Sequence, residues 1–204
     1  MLVLFIHGMG RSPVSGWPLL RKLKRAGFLT ATFGYFVSQE TVSQIVERLV
    51  AKLRALLAIE DLVLIGHSLG GVLLRHALGM LGETRHRVHH LFLLGSPVTP
   101  SRLAVRLSGN WIFRAVTQDC GQLLASPARM LAIAPSEVPT TGIAGTRGFT
   151  GGGLFGTEPN DGVVTVSEVS APWLQNQVLV PVMHTLLPSS ATVAEAILKE
   201  LGCA

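Results

Sequence analysis

Charge is scarce in this chain. Asp, Glu, Lys and Arg make up 14% of its 204 residues, against about 25% in an average soluble domain. Apolar residues make up 48%, so the composition excludes disorder. Cysteine is almost absent. Cys120 and Cys203 lie far apart and match no metal or redox spacing, which leaves only the question of whether they pair. Long apolar runs are missing too. The opening "MLVLFIHGMGR" has five apolar residues after Met1 and no basic leader, which reads as neither signal peptide nor membrane span. The expectation is a soluble cytoplasmic protein with no stable membrane insertion, whose apolar composition suits interfacial contact. Nothing bears on its oligomeric state.

The net charge is +5 and the pI about 9.9, which raises nucleic acid as a partner. The densest basic cluster is Arg21, Lys22, Lys24 and Arg25. No aromatics interleave with it as a base-stacking platform requires. It reads as the solvated face of a helix, and nucleic acid is excluded as a partner.

Strand-like and helix-like segments alternate. Residues 2–6, 28–36, 62–66 and 88–95 read as strands, apolar almost throughout. Residues 17–27 read as a helix with Pro18 in the first turn and Gly27 at its stop. Residues 38–57 carry apolar residues at helical spacing from Val42 to Leu57, capped by Ser38 or Thr41. Residues 68–81 form a third helix stopped by Gly82. After an irregular stretch, strands return at 141–146 and 177–183, and a helix closes the chain at 189–202. Such strands separated by helices imply a parallel sheet covered on both faces. One domain, 1–204, accounts for the length. Residues 96–140 exceed the usual connection of about two to six residues and read as a cap or insertion within it.

The stretch "LVLIGHSLGG" carries the chemistry. Gly66-His67-Ser68-Leu69-Gly70 fits G-x-S-x-G between a strand and a helix. A sharp turn there holds the central residue in a strained conformation and lifts its hydroxyl to the carboxyl edge of the sheet. Side chains at positions 66 and 70 would collide. An ordinary glycine-rich turn is the plainer alternative. A serine nucleophile needs a base oriented by an acid. Downstream of residue 90 the sequence has one histidine, His184. His76, His86, His89 and His90 suit helix, loop and strand-entry positions rather than a metal site, and His7 and His67 read as structural. Asp161 in "EPNDGVV" is the candidate acid, with Glu158 and Glu168 as competitors. Asn160-Asp161-Gly162 also suits a plain turn, which is compatible with that role. Backbone amides of Leu69 and of Met9, in "HGMGR", are candidates for an oxyanion hole. Ser96 is the next nucleophile candidate.

The segments "FIHGMG", "IGHSLGG", "LGSP", "PNDGVV" and "VMHT" together resemble the α/β-hydrolase superfamily, and within it the small bacterial lipases and esterases. "NDGVV" and "GIAGT" also resemble lipases related to GPI-inositol deacylases. The resemblance implies a minimal α/β-hydrolase fold of about six mainly parallel strands, with helices on both faces and a cap-like insertion after the fourth. It implies nucleophile Ser68, base His184, acid Asp161 and oxyanion amides at Met9 and Leu69. The implied reaction is hydrolysis of a small-molecule or lipid ester without metal or organic cofactor. Thioesterase, amidase or acyltransferase chemistry on the same scaffold, and a dead site in a binding protein, are the alternatives. Within the insertion, Trp111 and Phe113 are the candidate substrate-binding residues, in an apolar acyl pocket.

Overall fold

The computed structural model describes residues 1–149, 151 and 153–203. Thr150 and Gly152, in the stretch "GFTGGGLFGTEPNDG" whose composition reads as a glycine-rich loop, and Ala204 at the end of the expected domain, lie outside the described residues. Among the described residues six strands form one sheet, all pairs parallel: β1 (Leu2–Ile6), β2 (Leu29–Phe33), β3 (Leu62–His67), β4 (Val88–Leu94), β5 (Thr140–Gly145) and β6 (Asn176–Val180). Their order is β2-β1-β3-β4-β5-β6, so β2 and β6 are the edges. This is the minimal α/β-hydrolase topology.

The apolar strands feed two cores. Leu4, Ile6, Leu62, Leu64, Leu91 and Leu93 face one side, and Val3, Phe5, Val63, Ile65, Phe92 and Leu94 the other. Alternation along each strand divides them, because successive side chains point to opposite faces. Helices α2 (Val42–Leu57) and α3 (Leu69–Gly79) cover the first side. Helices α1 (Trp17–Arg25) and α7 (Ala191–Glu200) cover the second.

Local chemistry sets the boundaries. Thr41, not Ser38, caps α2: its hydroxyl accepts from the Gln44 amide and the Gln44 side chain accepts from the Thr41 amide, a reciprocal capping box. β2 ends at Phe33, earlier than the sequence pattern suggests, because the Tyr35 amide and hydroxyl both bond to His7 instead of a strand. β6 ends at Val180 because Pro181 has no amide to donate.

The segment between β4 and β5 forms α4 (Arg102–Leu107), α5 (Trp111–Ala125) and α6 (Pro127–Leu131). Ala104, Cys120, Leu123, Leu124, Met130 and Ile133 join the α2–α3 core. Helix α5 is broken at Gln118, whose φ of 43° is outside the helical range. Cys120 is buried and Cys203 exposed, and both are free thiols. Burial pushes the Cys120 thiol up to about 12.

Candidate active site

Ser68 stands between β3 and α3 with φ 52° and ψ −124°, a conformation costly for any side chain. The packing around it leaves no room to relax. A Cβ on Gly70 would run into the carbonyl oxygens of Ile6 and His7 at the end of β1, and one on Gly66 would strike the Gly71 backbone. Ser96, buried after β4, donates its hydroxyl to the Gly66 carbonyl at 3.1 Å. It thus braces the turn. The Ser68 amide donates to the carbonyl of Leu94 at 2.9 Å, which fastens the turn to the end of β4.

The next residue along β4's exit, Gly95, has φ 54°. A Cβ there would lie 3.0 Å from His184 Nδ1 and 3.1 Å from Asp161 Oδ2. Gly95 therefore joins the Ser68 turn to the His184–Asp161 pair. His184 Nδ1 lies 2.6 Å from Asp161 Oδ2 and the pair is buried. The Asp161 carboxylate also accepts at Oδ1 from the amides of Val163 and Val164, at 3.0 and 2.9 Å. The His184 amide in turn donates to the Asp161 carbonyl at 3.0 Å. Main chain and side chain together fix one residue against the other.

Neighbouring polar groups build the acid's loop. Asn160, almost wholly buried, accepts from the amides of Phe149 and Gly162 and donates to the carbonyls of Phe149 and Glu158. Glu168 is buried and accepts at Oε2 from the Thr165 amide and hydroxyl, and at Oε1 from the Arg102 amide. Glu158 pairs with Arg102 at 2.9 Å and accepts from the Ser167 amide. The Ser167 hydroxyl, and after it that amide, hold the Glu158 carboxyl below its usual range. The hydrogen bonds of both glutamates run to the insertion and the 165–167 turn, not to His184.

The Gly8–Arg11 turn brings Met9 to the site. The Arg11 amide donates to the Gly8 carbonyl, and a Cβ on Gly8 would sit 3.0 Å from Ser68 Cβ. Met9 is partly buried against the α2–α3 core. Leu69 opens α3, so its amide has no acceptor within the helix.

His67, read from the sequence as structural, and Arg11, which carried no reading there, both reach the main chain around His184. His67 Nε2 lies 3.0 Å from the His184 carbonyl oxygen, so Nε2 carries the proton. The two rings pack at 4.8 Å. Burial holds His67 well below the usual imidazole range. Arg11 donates to the next carbonyl, that of Thr185, at 3.2 Å. Only the adjacency of His67 to the motif serine marked it in the sequence; nothing local pointed to Arg11.

A cavity of about 450 Å³ beside the Gly8–Arg11 turn is lined by His7, Gly10, Arg11, Tyr35, Phe36, Val37, Ser38, Ala115 and Val116. Trp111 is 76% exposed and Phe113 packs onto the core; neither lines this cavity. Among the described residues no three His, Cys, Asp or Glu side chains group as metal ligands, and no helix is long and apolar enough to cross a membrane.

Residues 3–196 match the model of the Alpha/beta hydrolase family. No curated protein matches the chain. Among solved structures it is similar to the mature lipase BlEst2 of Bacillus licheniformis, with 21% identity, TM-score 0.77, and coverage of 98% of this chain and 90% of the lipase. It is similar to a structure from the pair of metagenome-derived lipolytic enzymes LipS and LipT, at 16% identity, TM-score 0.74 and coverage of 100% and 94%. It is also similar to RedJ, a thioesterase of prodiginine biosynthesis in Streptomyces coelicolor, at 15% identity, TM-score 0.61 and coverage of 98% and 84%. The chain belongs to the alpha/beta hydrolase family.

Proposed function

We propose that this alpha/beta hydrolase is a serine esterase that cleaves carboxylic esters through an acyl-enzyme, with Ser68 as nucleophile, His184 as base and Asp161 as its orienting acid. The observation that carries the reading is the buried contact between His184 Nδ1 and Asp161 Oδ2 at 2.6 Å, reached through Gly95 from the strained Ser68 turn. With the Nδ1 proton donated to Asp161, Nε2 is left basic. It takes the Ser68 proton as Oγ attacks the ester carbonyl. The amides of Met9 and Leu69 receive the charge that develops on the carbonyl oxygen. His184 then returns its proton to the departing alcohol, and water activated by His184 releases the acid. The lipolytic names among the similar structures support an ester substrate. The cavity of about 450 Å³ lined by Gly10 and Arg11, the neighbours of Met9 in its turn, supports an acyl group of small or medium size.

A fluorophosphonate probe tests the nucleophile. It labels the wild-type chain at Ser68 and leaves Ser68→Ala unlabelled, and that variant loses p-nitrophenyl ester turnover by orders of magnitude. Labelling of Ser68→Ala, or an unlabelled wild type, overturns the reading. Matched ester, thioester and amide substrates then separate esterase from thioesterase, amidase and acyltransferase chemistry, since these share the triad and differ in the pocket.

A further inference from the structure

The protein's surplus charge is not spread over its surface. Residues 1–39 hold five basic residues, Arg11, Arg21, Lys22, Lys24 and Arg25, and no Asp or Glu. The rest of the chain holds twelve of each sign, so the whole net charge of +5 originates in this segment. Four of the five sit on α1. Among the described residues none of those four forms an ion pair, and the first acid in the chain, Glu40, is bound to Arg48. Like charges on one helix repel unless something outside neutralises them.

These cations surround a groove. A cavity of about 760 Å³ is lined by all four, by Trp17, and by Thr30, Ala31 and Thr32 of β2. Three consecutive strand residues cannot all point to one face of a sheet. The groove therefore runs along the edge of β2, and β2 is the last strand in the sheet order. Proteins usually blunt such an edge with lysine, proline or a bulge. The β2 sequence, LTATF, has neither charge nor proline, its register with β1 is regular, and Leu29 at its start is 55% exposed. Trp17, 62% exposed, lines the same groove.

We propose that the groove between α1 and the free edge of β2 receives an acidic, extended segment of a partner protein. The segment adds to β2 as a further strand and sets its carboxylates against Arg21, Lys22, Lys24 and Arg25. Main-chain hydrogen bonds to an edge give affinity, and alternate side chains give specificity. Charge decides the occupant. A second copy pairing edge to edge would bring two cationic helices together, which costs energy. A nucleic acid would want several stacking aromatics, and the groove has Trp17 alone. A lipid surface would meet the helix but not the strand edge. None of the catalytic candidates lines the groove, so the inference stands apart from the ester chemistry.

The test is fluorescence anisotropy with the full chain and a labelled eight-residue peptide of alternating glutamate and valine. Binding is expected, weakening as salt rises through about 0.1 M, where the Debye length is about 10 Å. The double variant Arg21→Glu, Lys24→Glu, shown folded by circular dichroism, should weaken it about tenfold or more. A peptide N-methylated on alternate residues keeps its charge but loses its edge donors, and should bind comparably weakly. Several results would overturn the proposal. They are equal binding of the N-methylated peptide, no effect of the charge reversals, and equal binding of a lysine–valine peptide. Tighter charge-dependent binding of phosphatidylglycerol vesicles or oligothymidine, or self-association abolished by the same reversals, would also overturn it.

Discussion

The imidazole of His67 donates its Nε2 proton to the carbonyl oxygen of His184 across 3.0 Å. The residue before Ser68 thereby holds the main chain of His184. The position of His184 relative to Ser68 depends on this bond as well as on Asp161. Replacing His67 by Leu should lower kcat about tenfold with KM little changed, since the proposed base His184 is displaced while the proposed acyl cavity does not include His67. His67→Gln, which keeps a donor near Nε2, should recover part of the loss. A fall in melting temperature with kcat per folded molecule unchanged in both variants would reduce His67 to a packing residue.

Asp161→Asn should keep the fold and lower turnover by several orders of magnitude, because the amide no longer enforces the His184 tautomer. Glu168→Gln should behave oppositely. Its carboxylate is buried and holds the Arg102 amide and Thr165. Loss of its charge should cost about 1–3 kcal/mol of stability with little effect on kcat. Parallel denaturation and turnover measurements separate the two. Loss of turnover in Glu168→Gln without loss of stability would reassign the acid.

Stability should fall on mild acidification. Burial lowers the imidazoles of His67 and His7. In the fold they therefore bind fewer protons than in the unfolded chain, where imidazole titrates near ~6.5. Stability is full above that value and declines as pH drops below it. The melting temperature should be lower at about pH 5.5 than at about pH 7.5, and His67→Leu should flatten that difference. A melting temperature that rises on acidification would contradict the burial argument.

The insertion offers a comparison within one helix. Trp111 precedes Ala115, which lines the cavity with Gly10 and Arg11, by four residues on α5, and such residues are surface neighbours. Trp111→Ala should raise KM for medium-chain esters more than for acetates. Phe113 packs inward, and Phe113→Ala should cost about 2 kcal/mol of stability. Equal effects of Trp111→Ala on all chain lengths would remove Trp111 from the substrate path.

What the sequence determined by itself was local. Apolar runs the length of strands and helical spacing in 42–57 specify a parallel sheet between helix layers, because burial on both faces demands such strands. The glycines around Ser68 mark a crowded turn, because only glycine fits against the end of β1. Proximity was decided by the tertiary structure alone. Tyr35 ends β2 early because its amide and hydroxyl find His7, 28 residues away, and no local pattern encodes that partner. Glu158 and Glu168 are spelled like candidate acids, yet the folded chain turns them toward Arg102. His67 and Arg11 reach successive carbonyls of the base's loop across 117 and 174 residues. The α1 cations read as a solvated face become the wall of a groove only when β2 is left at the sheet's edge. Sequence spacing specifies which face of an element is apolar; which polar groups meet depends on how the faces stack.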